Sequence, residues 1–185
     1  GDGDSRIGVF AAVESKTAIG PLVQRMVTLN WLPSALHPYG VNDPRTVDYL
    51  AVTAKATAEW PLGQGGTTLR LGGELGYAPE TPRREAMNTG TGRADALSWQ
   101  ASVNVMDVLP GHDLGLVHGR VADGWLLSSD FRPNDELTEV RWVWQATPEW
   151  QLDARLRRRR EIDLPAAAAR PRRDDDLYLR ATYRF

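Results

Sequence analysis

Cysteine is absent from the 185 residues. That excludes a disulfide scaffold and any thiolate metal site, and it suits an envelope protein as well as a cytosolic one. No run of about 18 apolar residues occurs, so no transmembrane helix is expected. The opening Gly1-Asp2-Gly3-Asp4 has neither the basic region nor the apolar core of a signal peptide. If exported, the chain is expected to be a mature protein or a fragment. An excess of one charge is also lacking: 22 Lys and Arg face 24 Asp and Glu, which leaves a formal charge of −2. A nucleic-acid partner therefore has no electrostatic support. Histidine is scarce, and His37, His112 and His118 share no metal-ligand spacing. Neither a metal nor a cofactor is expected. None of these absences touches a β-barrel, whose strands alternate and so average to a low hydropathy.

What the chain does have is alternation. Period-two patterning recurs in segments of about ten residues, the length a tilted membrane strand needs. In 95–108, Leu97, Trp99, Ala101, Val103 and Val105 fall on one face, with Ser98, Gln100, Ser102 and Asn104 on the other. In 47–60, Leu50, Val52, Ala54, Ala56, Ala58 and Trp60 oppose Thr53, Lys55, Thr57 and Glu59. Residues 67–78, 136–146, 149–162 and the ending from Leu177 repeat the pattern. Weaker versions occupy 5–14, 21–32 and 113–122. In 21–32 the face of Val23, Val27, Leu29 and Trp31 also holds Arg25, and in 113–122 neither face is cleanly apolar. A bulge or a strand end would explain either case. Nine antiparallel strands are expected.

The connections alternate in length. Short ones at Leu62–Gly66, Leu109–His112 and Thr147–Glu149 carry turn residues, and long polar ones fill 32–46, 79–94, 123–135 and 163–174. Short turns on one rim and long loops on the other are the layout of outer-membrane barrels. A soluble lipocalin-like barrel needs an apolar interior. Here the polar face holds Arg70, Arg141, Arg155, Arg157, Arg180 and Arg184, which would be very costly in a small dry core and cost little in a water-filled lumen.

The ending Leu177-Tyr178-Leu179-Arg180-Ala181-Thr182-Tyr183-Arg184-Phe185 resembles the terminal signature of bacterial outer-membrane barrels. The stretches Leu109–Leu116, Gly124–Leu126, Phe131–Arg141 and Leu152–Arg157 are similar to the carboxyl end of phosphate-selective porins of the O and P type, over roughly residues 95–185. The resemblance implies an outer-membrane location, a final strand read by the barrel-assembly machinery, and surrounding lipid and lipopolysaccharide. It also implies a homotrimer and passive diffusion of small solutes, anions among them. The expected fold is all-β, an antiparallel up-and-down transmembrane β-barrel, with residues 1–185 forming one barrel domain or a fragment of one. Phe185 directs the last strand towards the periplasm, and counting back nine strands puts the amino terminus outside. Single-chain bacterial barrels have even strand numbers. The chain is therefore expected to be the C-terminal part of a barrel of about 16–18 strands, with a closed barrel of eight or ten as the alternative.

The residues expected to line the pore are Lys55, Arg70, Arg141, Arg155, Arg157, Arg159 and Arg180, with Glu59, Glu74, Glu139 and Asp153 interleaved. Two readings of this set stay open: cations that favour anions in a pore, or a cross-strand salt-bridged lattice that stiffens the wall. The run Arg157–Arg160, with Arg170, Arg172 and Arg173 facing Asp174–Asp176, is either a site for lipopolysaccharide phosphates and incoming anions or an ion-paired loop base. Trp60, Trp150, Tyr183 and Phe185 are expected as a membrane-interface girdle. Enzymatic activity is not expected. Ser98 and Ser102 share the polar face, and His118 lies on the next strand, which is weak spacing for a barrel lipase or deacylase. The glycines at 63, 65, 66, 72 and 73 lack the strand-to-helix context of a phosphate loop. The main alternative function is a scaffolding barrel within an envelope complex. By length, 32–46 and 79–94 are the candidates for a loop that folds inward.

Overall fold

The computed structural model describes residues 7–36, 46–63, 65–81, 84, 94, 96–126, 128, 131–164, 168 and 170–185. The strands are β1 (Val9–Ser15), β2 (Leu22–Leu36), β3 (Thr46–Pro61), β4 (Thr68–Glu80), β5 (Leu97–Leu109), β6 (His112–Val121), β7 (Asp135–Gln145), β8 (Trp150–Glu161) and β9 (Arg173–Tyr183). They form one all-antiparallel up-and-down sheet in sequence order, with β1 and β9 at its edges. Short connections collect at one rim and long ones at the other, as the alternation of loop lengths predicts.

The register preserves the two faces from strand to strand. One row of partners runs Leu22, Ala58, Leu71, Val103, Leu116, Val140, Leu156 and Leu177 across β2 to β9. The adjacent row, on the other face, runs Thr57, Gly72, Ser102, Val117, Glu139, Arg157 and Asp176. The apolar face is the open one: Leu177 and Leu179 are each 71% exposed, and Leu71, Val103, Leu116, Val140 and Leu156 are exposed with them. This inverts a soluble barrel, which would bury such a face.

Two expectations change, and the mixed pattern of 113–122 finds its partners. The last strand begins at Arg173 rather than Leu177. Asp174, Asp175 and Asp176 pair with Arg159, Arg158 and Arg157, and opposite charges across the ladder outweigh aspartate's poor strand propensity. In β2 the register shifts between Leu22 and Gln24, and Val23 borders the cavity on the polar face instead of sharing the face of Val27. Arg25 stands opposite Ser15, where β1 ends, and donates to Ser15 Oγ at 2.8 Å and to the Thr17 carbonyl at 2.9 Å. Both a bulge and a strand end thus account for the weak pattern of 21–32. In β6, Leu114 and Leu116 continue the apolar face, but His118 and Arg120 follow them where the partners are Thr138 and Glu136.

The strands are staggered. The row through Ser15, Arg25, Ala56, Gly73, Ala101, His118, Thr138, Arg158 and Asp175 starts at the turn end of β1 and finishes eight residues from the end of β9. With about 3.3 Å per residue and about 4.8 Å between strands, a slip of about one residue per strand corresponds to a strand tilt of about 35°. The sheet also curls. Residues from β2 through β8 border a single cavity on the polar face.

Candidate functional site

Alternation puts the charged side chains of the polar face into this cavity, an open cleft of about 710 Å³. Of the seven cations expected to line a pore, Lys55, Arg70, Arg141, Arg155 and Arg157 border it. Lys16 joins them, and Glu59, Glu74 and Glu139 are the carboxylates in the wall. Arg159 and Arg180 do not border it. Arg159 is drawn to Asp135 at 3.3 Å near the long-loop rim, and Arg180 sits on the edge strand, 3.6 Å from Asp153.

The cations are organised by the carboxylates between them. Asp153, only 3% exposed, receives Arg141 Nη2 at 2.6 Å, with Arg155 at 3.5 Å and Arg180 at 3.6 Å. Arg157 Nε donates to Glu139 at 2.8 Å, Arg70 Nε to Glu59 at 2.6 Å, and Gln100 to Glu74 at 3.0 Å. The Arg155 guanidinium also lies 4.7 Å from the centroid of the Tyr178 ring, within cation–π range. The lattice reading of these residues therefore describes real contacts. With Asp153 and Glu14 counted beside the wall carboxylates, the six cations of the cavity meet five carboxylates, a small positive excess.

Towards the long-loop rim the same face turns apolar and is covered. Tyr49, Ala51, Ala78, Val121 and Leu137 form a buried cluster with Trp125 and Phe131 of the β6–β7 connection. The Trp125 ring meets Tyr49 edge-on at 6.4 Å, and the Leu126 amide donates to the Tyr49 hydroxyl at 3.2 Å. Two glycines make room. A β-carbon on Gly76 would overlap the Trp125 ring, and one on Gly119 would come within 2.7 Å of Phe131 Cζ. Arg84 ties the arrangement together, 3.3 Å from the fully buried Asp123 and 3.8 Å from Asp163. Asn134 clamps Asp163 by two 2.8 Å hydrogen bonds, one given and one accepted. The inward-folding segment seen here is therefore the β6–β7 connection, through its described residues 122–126 and 131–134. Most of 79–94, the 37–45 part of 32–46, and His37 lie outside the described residues.

The segment could not be picked out by length or period. Its one signal is that the polar-face positions Tyr49, Ala51 and Ala78 are apolar at the loop ends of β3 and β4, where a wall facing water should be polar.

On the apolar face, an aromatic band follows the short-turn rim. Trp60, Trp150, Tyr183 and Phe185 are all exposed, and the Trp150 and Tyr183 rings lie 5.0 Å apart. The band also includes three residues that were not expected in it. His112 stacks on Trp144 at 5.3 Å and accepts a hydrogen bond from Trp142 Nε1 at 3.1 Å. His118 faces outward, opposite Ala101 and bonded to Thr138 Oγ1 at 2.9 Å, so Ser98 and Ser102 lie across the sheet from it. Among the described residues no cluster of three or more His, Cys, Asp or Glu could hold a metal. Compared with protein-family models, curated proteins and solved structures, the chain has no match in any of the three.

Proposed function

We propose that the chain forms the wall of a bacterial outer-membrane β-barrel, with the polar face lining a water-filled channel for passive diffusion of small solutes and a preference for anions. One observation carries this reading. From β2 to β9 an aliphatic row runs unbroken along one face, exposed from β4 onwards, while on the opposite face charged side chains of β3, β4, β7 and β8 gather in one cavity. In water that arrangement wastes apolar surface; in lipid it is the stable orientation. The tilt of about 35° supports it, since membrane barrels tilt by about 35–45°. So do the aromatic band at the short-turn rim and the position of Phe185 on that rim. The function calls for no catalytic group and no cofactor. The cationic surplus in the cavity supports the anion preference, through long-range attraction and the forked geometry of arginine.

Planar-bilayer recording tests this. The chain should give steady ohmic steps, and the reversal potential in a salt gradient should show anion preference. Arg155→Ala with Arg157→Ala should shift that potential towards neutrality. If the double variant unfolds more easily but keeps its reversal potential, the residues serve the lattice alone. Silence after verified insertion would favour a plugged scaffolding barrel.

A further inference from the structure

The run Arg157-Arg158-Arg159-Arg160 is divided by the pleat. Arg157 and Arg159 turn to the polar face and pair with Glu139 and Asp135. Arg158 and Arg160 turn to the apolar face, immediately above its last aliphatic pair, Leu156 and Leu177. There Arg158 faces Asp175, but Arg160 stands directly opposite Arg173. Like charges in facing positions destabilise a strand pair. Glu136, 2.9 Å from Arg160, is the nearby counter-charge for that pair. These side chains border an open cleft of about 310 Å³. Arg158 is three-quarters exposed and Arg160 about half, so each guanidinium keeps donors free for a ligand.

We infer that this outward cleft is a binding site for the phosphorylated headgroup of an acylated glycolipid. The chemistry fits one molecule in two parts. Acyl chains would lie on Leu156 and Leu177, and a phosphate would bridge Arg160 and Arg173, two same-face pairs higher and beyond the Arg158–Asp175 pair. Arginine forks suit a phosphate's oxygens, and a bridging dianion turns the repulsion between the two cations into attraction. The inference rests on the proposed orientation in the membrane but not on conduction.

Native mass spectrometry of the chain refolded in detergent tests it, with a bisphosphorylated acyl-glucosamine disaccharide as the probe and the same lipid stripped of phosphate as the comparison. The phosphorylated lipid should be retained in preference. Arg160→Ala with Arg173→Ala should cut that preference at least about tenfold, the scale of one lost charge-assisted hydrogen bond. Arg160→Lys with Arg173→Lys should keep more of it, and Arg25→Ala, at the opposite rim, should leave it unchanged. Folding of each variant is checked by heat-dependent gel mobility. Equal retention of both lipids, or full competition by inorganic phosphate at the same concentration, would overturn the inference while leaving the barrel intact. Failure of the chain to enter vesicles of any composition would overturn both this inference and the membrane reading.

Discussion

Asp153 shows how much one residue can organise. It is almost wholly buried, and three guanidinium groups from three strands converge on it. Its removal strands three cations, but all three remain partly in water, so the cost falls well below that of breaking a dry pair. Asp153→Asn should lower stability by about 1–2 kcal/mol, measured as a shift in urea midpoint. On the proposed function it should also move the reversal potential further towards anions, opposite in sign to the loss of Arg155 and Arg157. Gly76 makes a second test. Gly76→Ala pushes against the Trp125 ring and should loosen the covering segment, seen as faster proteolysis within 122–134. The face of most strand residues was legible in the sequence, because period two assigns faces without any tertiary knowledge. That Arg159 and Arg180 fall outside the cavity, and that a bulge turns Val23 into it, was not. Nor was it legible which carboxylate each arginine meets. Arg141 reaches Asp153 on β8, whereas Arg157 reaches back to Glu139 on β7, and those pairings depend on register and rotamer.

At the scale of elements, the strands were legible and the covering segment was not. A strand declares itself by repetition, so β3, β4, β5, β7 and β8 begin and end within two residues of the expected limits. The start of β9 was expected late because Asp174–Asp176 were set against the arginines of their own loop, whereas the ladder pairs them with Arg159, Arg158 and Arg157 on β8. The segment 122–134 has no period, and its placement depends on Trp125 finding the space above Gly76 next to Tyr49. Trp125→Ala removes the largest buried side chain of that cluster. Truncation of a buried tryptophan costs about 3–5 kcal/mol in a closed core. Here the segment can swing away instead, so the expected outcome is a rise in single-channel conductance with the strands intact by infrared amide absorption. Unchanged conductance would mean that the segment does not narrow the channel.

For the whole molecule, the register sets the tilt. Polarised infrared spectroscopy of oriented membranes containing the chain should give strands inclined about 35° from the bilayer normal, the angle that follows from about one residue of slip per strand. Strands lying in the membrane plane would defeat the proposed orientation. The up-and-down order was legible from the loop lengths and the alternating faces. The slip was not, because each pair's register is set by side-chain fit across the ladder and by turn geometry.

The same slip has a consequence for anything moving along the cavity. Counted from the short-turn end of its own strand, Arg70 stands two residues in, Arg141 four, Arg155 five, Lys55 six and Arg157 seven. The positive charges therefore do not form a ring at one level. They are spread over five levels, lowest on β4, intermediate on β7, and higher on β8 and β3. On the proposed function, charge spread over several levels gives an anion successive weak attractions instead of one deep trap, so the loss of any one cation should lower anion preference without abolishing it.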